Sequence, residues 1–250
     1  MNIIMAFDMN FLLPAITAIY SLFTHNNNIN LRILHVNLSC NAMQVIKKLQ
    51  RIGQNNRIEF IYINDELLDR IKISTGRWKA ESFFRFYAAE LFPDLDRVLW
   101  MDSDILVRNN IEELYYMDFE GNSYAGVLDY TSNPFERLGI SEYINSGILM
   151  INIEKLRRTD KMQEYWELVA SVDYMGDLPD QDALNIIFKG DIKFISVFWN
   201  TFPLNFNDIA DVLVENSRIV HYVSDHKPWK TEDSLYFLAM FQVFNTAKVF

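Results

Sequence analysis

The sequence predicts an α/β fold built on a doubly wound, mainly parallel central sheet. Two observations predict it. Short apolar runs of strand length alternate with segments of helical periodicity from the first residue onward, the pattern of a sheet made from strand–helix crossovers. Carboxylates stand just past the ends of apolar runs, Asp8 after the first and Asp102 and Asp104 after a later one. In open sheets of this kind, ligands bind beyond the carboxyl ends of the strands.

The first run, residues 2–7, is rich in Ile and Phe and reads as a strand ending at Asp8. Residues 14–23 follow as a helix, with Leu12, Ile16, Ile19, Tyr20 and Phe23 at helical spacing. The polar cluster from His25 to Asn30 breaks the chain before a second strand over 31–36. A helix over 41–53 ends on Gly53, a residue suited to a helix C-cap, and a third strand covers 57–63. Residues 74–79 are polar and include a glycine, which suits a mobile flap. The next helix, 81–92, carries Phe84, Tyr87, Ala88 and Leu91 as its apolar stripe, with Arg85 beside it, and Pro93 ends it. Arg85 is either a surface residue whose stem covers apolar area or a fixed cation aimed at an anion.

Residues 97–107 are an apolar run interrupted by Asp102 and Asp104. In a strand, residues two apart leave on one side, so both carboxylates would face the same way at the end of a buried element. Such a pair suits a hard cation, Mn²⁺ or Mg²⁺, rather than zinc; the plain alternative is a solvated acidic turn. Residues 124–128 read as a strand ending at Asp129, followed by an irregular segment with Asn133-Pro134 and Gly139. Asn145-Ser146-Gly147 is turn chemistry at the entrance of a strongly apolar strand. Residues 154–172 form an amphipathic helix. Asp180, Gln181 and Asp182 open another, where acidic residues ordinarily cap free amides. The last strands are 194–199 and 218–223. The second carries His221, which alone reads as a satisfied strand histidine. The tail around 235–244 reads as a helix packed on the domain or lying at a membrane surface.

Composition narrows the function. The 250 residues, half of them hydrophobic and without repeat or linker, suit one well-filled domain. A net charge of -10 argues against nucleic acid as a partner. It also disfavours a bare phosphorylated ligand: two unit charges about 4 Å apart repel by roughly 4 kcal/mol at an effective dielectric near 20, so a bridging cation is expected. The single cysteine, Cys40, rules out an intrachain disulfide and suits a reducing cytosol. The opening residues read as a core strand rather than a secretory leader, which predicts a cytoplasmic protein, peripheral on the inner face of a membrane if the tail helix touches one.

Taken in order, Ala6-Phe-Asp8-Met-Asn10-Phe11, Ser82-Phe-Phe-Arg85-Phe, Met101-Asp102-Ser-Asp104, Asn145-Ser-Gly147, Asp180-Gln181-Asp182-Ala-Leu-Asn185 and His221-Tyr through Lys227-Pro-Trp229 resemble glycosyltransferase family 8. That retaining family includes bacterial lipopolysaccharide galactosyl- and glucosyltransferases and the glycogenins. The resemblance covers nearly the whole chain. It implies a single-domain GT-A (Rossmann-like) fold, with a nucleotide-binding part over about 1–110, an acceptor side over about 111–230 and a C-terminal helix over about 231–250. It implies UDP-glucose or UDP-galactose as donor, Mn²⁺ or Mg²⁺ as cofactor, and a saccharide acceptor that is a surface glycan, lipid-linked or protein-attached. By position, Asp8 and Asn10 would hold the nucleoside with Phe11 against the uracil. Asp102, Asp104 and His221 would bind the metal, and Lys227 with the Ser224 loop would approach the diphosphate. Arg85, Asp129, Asn145 and Asp180 would surround the sugar, with Gln181 beneath its anomeric carbon. Two departures stand out: Phe11 replaces a frequent tyrosine, and Ser224 stands where glycine is common. The segment between Asp129 and Asn145 and the tail after Trp229 are short for the family, so the acceptor does not carry over. The alternatives are a non-catalytic nucleotide-sugar-binding partner and a nucleotidyltransferase; the latter would need a glycine-rich loop where Asp8-Met-Asn-Phe stands.

Overall fold

The computed structural model describes residues 1–71, 80–171, 178–203, 216–223, 227 and 229. The expected flap at 74–79, Ser224 and the C-terminal helix lie outside the described residues. The strands are β1 (Asn2–Ala6), β2 (Asn30–His35), β3 (Arg57–Tyr62), β4 (Arg97–Met101), β5 (Ile105–Val107), β6 (Tyr124–Leu128), β7 (Ile144–Asn152), β8 (Ile192–Ile195) and β9 (Ile219–His221). The helices are α1 (Leu12–His25), α2 (Cys40–Lys48), α3 (Asp65–Asp69), α4 (Ala88–Leu91), α5 (Glu112–Tyr115), α6 (Pro134–Leu138), α7 (Ile153–Leu156), α8 (Lys161–Ala170) and α9 (Pro179–Ile187).

Seven strands form the central sheet in the order β3-β2-β1-β4-β7-β6-β8. Neighbours pair in parallel except around β7, which runs antiparallel to both β4 and β6. β5 and β9 make a separate antiparallel pair, with Ile105 opposite His221. The sheet is buried on both faces, as the unbroken apolar runs require. One face packs Ile3, Met5, Leu99, Met101 and Met150 against Ile16, Ile19 and Phe23 of α1. The other packs Ile4, Trp100, Leu149 and Ile151 against Phe84, Phe86, Tyr165, Leu184 and Phe188.

Several elements differ from the sequence expectation. The helix expected over 81–92 is a 3-10 run, Ala80–Tyr87, continued by the short α4. Phe83 through Tyr87 are all buried, and the Arg85 Nε–H donates back to the Ser82 carbonyl three residues earlier, within the tighter turn. The helix expected over 154–172 breaks into α7 and α8 at Arg157–Asp160. The strand expected over 194–199 begins earlier, as β8, and gives way to a 3-10 turn at Val197–Trp199. The apolar run 97–107 divides at its carboxylates: β4 stays in the main sheet and β5 joins β9. The irregular segment after Asp129 contains α6. No helix among the described residues is long and apolar enough to cross a membrane.

The direction of β7 decides where side chains meet. An antiparallel strand enters the sheet at the edge where its neighbours leave it. The start of β7, Ile144 to Gly147, therefore lies beside the ends of β4 and β6, and the backbone N–H of Asp102 donates to the Gly147 carbonyl at 2.8 Å.

Candidate functional site

Asp102 and Asp104 follow β4, and His221 ends β9. One ligand atom from each lies within 4.8 Å of the other two. His221 Nε2 is 3.2 Å from Asp104 Oδ1 and 3.8 Å from Asp102 Oδ2. Two carboxylates and one imidazole make a donor set that fits Mn²⁺ or Mg²⁺, with room left for phosphate oxygens. The backbone makes way for them. A Cβ on Gly147 would stand 2.1 Å from His221 Cε1 and 2.9 Å from Asp102 Oδ2, so only glycine permits this approach.

Each of the three is held by a neighbour. Trp100 Nε1 donates to Asp102 Oδ1 at 2.7 Å, and Arg85 Nη2 lies 3.2 Å from the same oxygen, which leaves Oδ2 facing His221. Lys227 Nζ donates to Asp104 Oδ2 at 2.7 Å. Burial alone would push the Asp104 carboxyl up, but the Lys227 ammonium and the His221 ring hold it far below the usual carboxylate range. His221 Nδ1 lies 3.0 Å from Asn200 Oδ1.

Arg85 is a fixed, buried cation rather than a surface residue. Its Nε donates to the Ser82 carbonyl at 2.8 Å, its Nη1 donates to the Ser146 carbonyl, and the guanidinium lies over the Trp100 ring. Its Nη2 also reaches Asp180 Oδ2 at 3.5 Å. Asp180 is buried in the first turn of α9, where the backbone N–H groups of Asp180 and Gln181 support its carboxylate. Burial pushes its carboxyl up to about 6, against the pull of Arg85 and with added repulsion from Asp102.

Gln181, also buried, is oriented from both ends. Its Oε1 accepts from the Ser146 backbone N–H at 2.9 Å and from Ser146 Oγ at 3.3 Å. Its Nε2 donates to Asp129 Oδ2 at 2.9 Å and to the Tyr143 hydroxyl at 3.3 Å. Asp129 Oδ1 accepts from the Thr131 and Ser132 backbone N–H groups. Tyr143 in turn donates to Asp182, which has no exposed surface and also pairs with Arg137. Asn145 Oδ1 accepts from the Gly147 N–H and from Asn200 Nδ2, both at 2.9 Å.

At the end of β1, Asp8 caps the 3-10 turn Met9–Phe11 by accepting from the Asn10 and Phe11 backbone N–H groups, and Asn10 Nδ2 donates to its second oxygen at 2.8 Å. The Phe11 ring meets Trp229 edge to face, with centroids 5.9 Å apart. The structure thus gathers Arg85, Asp102, Asp104, Asp129, Asn145, Asp180, Gln181, His221 and Lys227 around the ends of β4, β6 and β9. Asp8, Asn10 and Phe11 stand together at the end of β1. Sequence reasoning missed Trp100, Tyr143, Asp182 as a buried anion, and Asn200. Trp100, two residues before Asp102, carried the one readable signal, since alternation turns both to one face.

The family model described as Glycosyl transferase family 8 matches residues 2–233. Glycosyltransferase GlyF of Streptococcus pneumoniae serotype 4 is 29% identical over 243 residues, covering 92% of this chain and 57% of GlyF. The lipopolysaccharide 1,2-glucosyltransferase of Escherichia coli strain K12 is 25% identical over 249 residues, covering 92% of this chain and 72% of that protein. The chain therefore spans little more than half the length of the first of these relatives. Among solved structures, the galactosyltransferase LgtC in complex with donor and acceptor sugar analogs superposes with a TM-score of 0.75 at 24% identity, covering 99% of this chain and 95% of LgtC. The bifunctional glycosyltransferase WbbM superposes with a TM-score of 0.80 at 20% identity, covering 98% of this chain and 49% of WbbM. These two likenesses establish the GT-A fold.

Proposed function

The chain belongs to glycosyl transferase family 8, and from that premise we propose that it is a retaining hexosyltransferase, moving glucose or galactose from a UDP-sugar to a glycan, lipid-linked or protein-attached acceptor with Mn²⁺ assisting. The observation that carries this reading is the approach of Asp102, Asp104 and His221 within 4.8 Å beside the Lys227 ammonium. A divalent ion held there supplies Lewis-acid neutralisation of the donor diphosphate.

The remaining chemistry falls to the chain. Asp8 and Asn10, already hydrogen-bonded to each other, present polar groups to the nucleoside, with the Phe11 ring for the uracil. Lys227 meets the charge that develops on the leaving diphosphate. Arg85, Asp129, Asn145 and Asp180 line the sugar pocket. The bond from anomeric carbon to phosphate oxygen breaks, its electron pair leaving with the nucleoside diphosphate. The acceptor hydroxyl oxygen bonds to the same face of that carbon and passes its proton to the departing phosphate. Gln181 favours this front-face route: Ser146 donates twice to its Oε1, so that oxygen is a poor covalent nucleophile but a suitable dipole for an oxocarbenium-like carbon.

The test is a screen of UDP-sugars for donor hydrolysis and transfer with and without Mn²⁺. Turnover of UDP-glucose or UDP-galactose is expected only with the ion, and Asp102→Asn and Asp104→Asn should each reduce it at least about 100-fold, as losing a metal ligand's charge implies. Turnover indifferent to both substitutions overturns the reading. UDP binding without turnover across a wide acceptor panel would instead make the chain a nucleotide-sugar-binding partner.

A further inference from the structure

Asn200, outside every motif of the family resemblance, is completely buried between Asn145 and His221. Three hydrogen bonds in series fix the identity of each atom. The Gly147 backbone N–H can only donate, so the atom it reaches at 2.9 Å on Asn145 is the carbonyl oxygen Oδ1. That oxygen can only accept, so the Asn200 atom facing it at 2.9 Å is the amide nitrogen. Asn200 Oδ1 is then the atom 3.0 Å from His221 Nδ1, and Nδ1 must carry a proton. The neutral ring has one proton, so Nε2 is left with its lone pair. It is Nε2 that faces Asp104 Oδ1 at 3.2 Å and Asp102 Oδ2 at 3.8 Å, acceptors that a lone pair meets favourably only with a cation between them. Side-chain amides and imidazoles can usually be turned end for end without penalty in the coordinates. Here the backbone donor anchors the order of the whole series.

The backbone around Asn200 is as constrained as its side chain. Its own N–H donates to the Val197 carbonyl at 3.1 Å. The next residue, Thr201, donates to Ile219 at 3.0 Å and accepts from the His221 N–H at 2.8 Å. Asn200 is thus tied to the strand that carries the histidine. All three side chains are buried, with Asn145 8%, Asn200 0% and His221 3% exposed, so a mismatched donor or acceptor in the series would stay unsatisfied.

We infer that Asn200 is a positioning residue for the metal site: through Asn145 and the Gly147 backbone amide, it locks His221 in the Nδ1–H tautomer so that Nε2 presents its lone pair to a divalent cation. The inference deepens the proposed function and rests on reading Asp102, Asp104 and His221 as ligands. It assigns the outer partner that a ligating histidine characteristically needs. It also gives Asn145 a second task, since the oxygen that organises His221 is held inside the protein.

The first measurement needs neither substrate nor metal. The chain has four histidines, so long-range ¹H–¹⁵N spectra of the metal-free protein, taken where the neutral rings predominate, resolve His221 by comparison with a His221→Gln sample. The Nδ1–H form is expected to dominate, opposite to the preference of a free histidine side chain. A dominant Nε2–H form, or an even mixture, overturns the inference even if the enzyme turns over UDP-sugars. Second, Asn200→Leu keeps the volume and removes the acceptor, and Asn200→Asp keeps an acceptor for Nδ1–H. Asn200→Leu should release the tautomer and weaken Mn²⁺ binding, measured by calorimetry, about 10- to 100-fold, while Asn200→Asp should keep the Nδ1–H form. Mn²⁺ affinity and tautomer unchanged in a folded Asn200→Leu overturn it. If that variant fails to fold, the parent spectrum still decides. Absence of Mn²⁺ binding by the parent would count against the proposed function and leave the tautomer result standing.

Discussion

Gly147 shows how little slack the site has. Substitution by alanine would drive a methyl to 2.1 Å from a ring carbon of His221 and 2.7 Å from its Nδ1, so the buried ring or the β7 backbone would have to shift. Gly147→Ala should lower the unfolding free energy by about 1–3 kcal/mol, the usual cost of overpacking, and weaken Mn²⁺ binding. Chemical denaturation and calorimetry on the same sample check both. Parent-like stability and affinity would mean that the imidazole does not stand where the structure has it. Asp102, Asp104 and His221 were legible in the sequence because a hard cation needs those atom types and because the motifs follow one another in a known order. Asn200 was not: an asparagine just past the end of an expected strand reads as turn chemistry, and its role exists only in contacts 55 residues away to Asn145 and 21 to His221. Asp182 was legible only in part: it does accept from the Leu178 backbone N–H at the start of α9, at 3.3 Å, as a first-turn carboxylate is expected to, but its other partners were not readable. Spacing places it in a first turn, whereas burial against Tyr143 and Arg137 makes it a structural anion.

A second buried carboxylate, at the opposite end of β6, ties elements together. Asp191, just before β8, accepts from the Ser123 N–H at 3.0 Å and from Ser123 Oγ at 2.8 Å, and pairs with Lys155 of α7 and Lys161 of α8. Burial would raise its carboxyl, but the bonds from Lys155, Ser123 and Lys161 outweigh it and hold the group below its usual value. A carboxylate lowered by folding contributes stability that is full above its unfolded value, near 4, and fades as pH falls through the folded value. Asp191→Asn should therefore destabilise the protein at neutral pH, and the gap to the parent should narrow as the medium is taken below pH ~4. Urea unfolding at the two pH values decides it, and a gap that widens in acid would refute the assignment. Strand positions were largely readable from apolar runs. The reversed direction of β7 was not, because periodicity carries no sign. Nor was the 3-10 form of Ala80–Tyr87, because an apolar stripe at helical spacing does not separate three residues per turn from 3.6 over so short a run.

The reversal of β7 gives the molecule its working edge. Parallel strands deliver Asp102 and Asp129 at their ends, while the antiparallel strand begins there with Asn145, Ser146 and Gly147. β9 arrives from the small second sheet with His221, and α9 starts beside them with Asp180 and Gln181. A donor bound at this edge would engage elements from both sides of the central sheet, so its binding energy would add to global stability rather than to one loop. For an acidic chain, a nucleoside diphosphate and Mn²⁺ should bind jointly, each relieving the electrostatic cost of the other. At concentrations of the pair about 100-fold above its dissociation constant, mass action adds roughly 2.7 kcal/mol. For a domain of this size that raises Tm by about 5–10 °C. UDP alone should give much less, and Asp104→Asn should remove most of the joint shift because it discards one ligand charge while Lys227 loses its counterion. Scanning calorimetry of parent and variant, with UDP, Mn²⁺ and both, measures the coupling. Equal shifts in parent and Asp104→Asn would show that the nucleotide binds without the carboxylate pair, and the edge would then need another explanation for its buried charges.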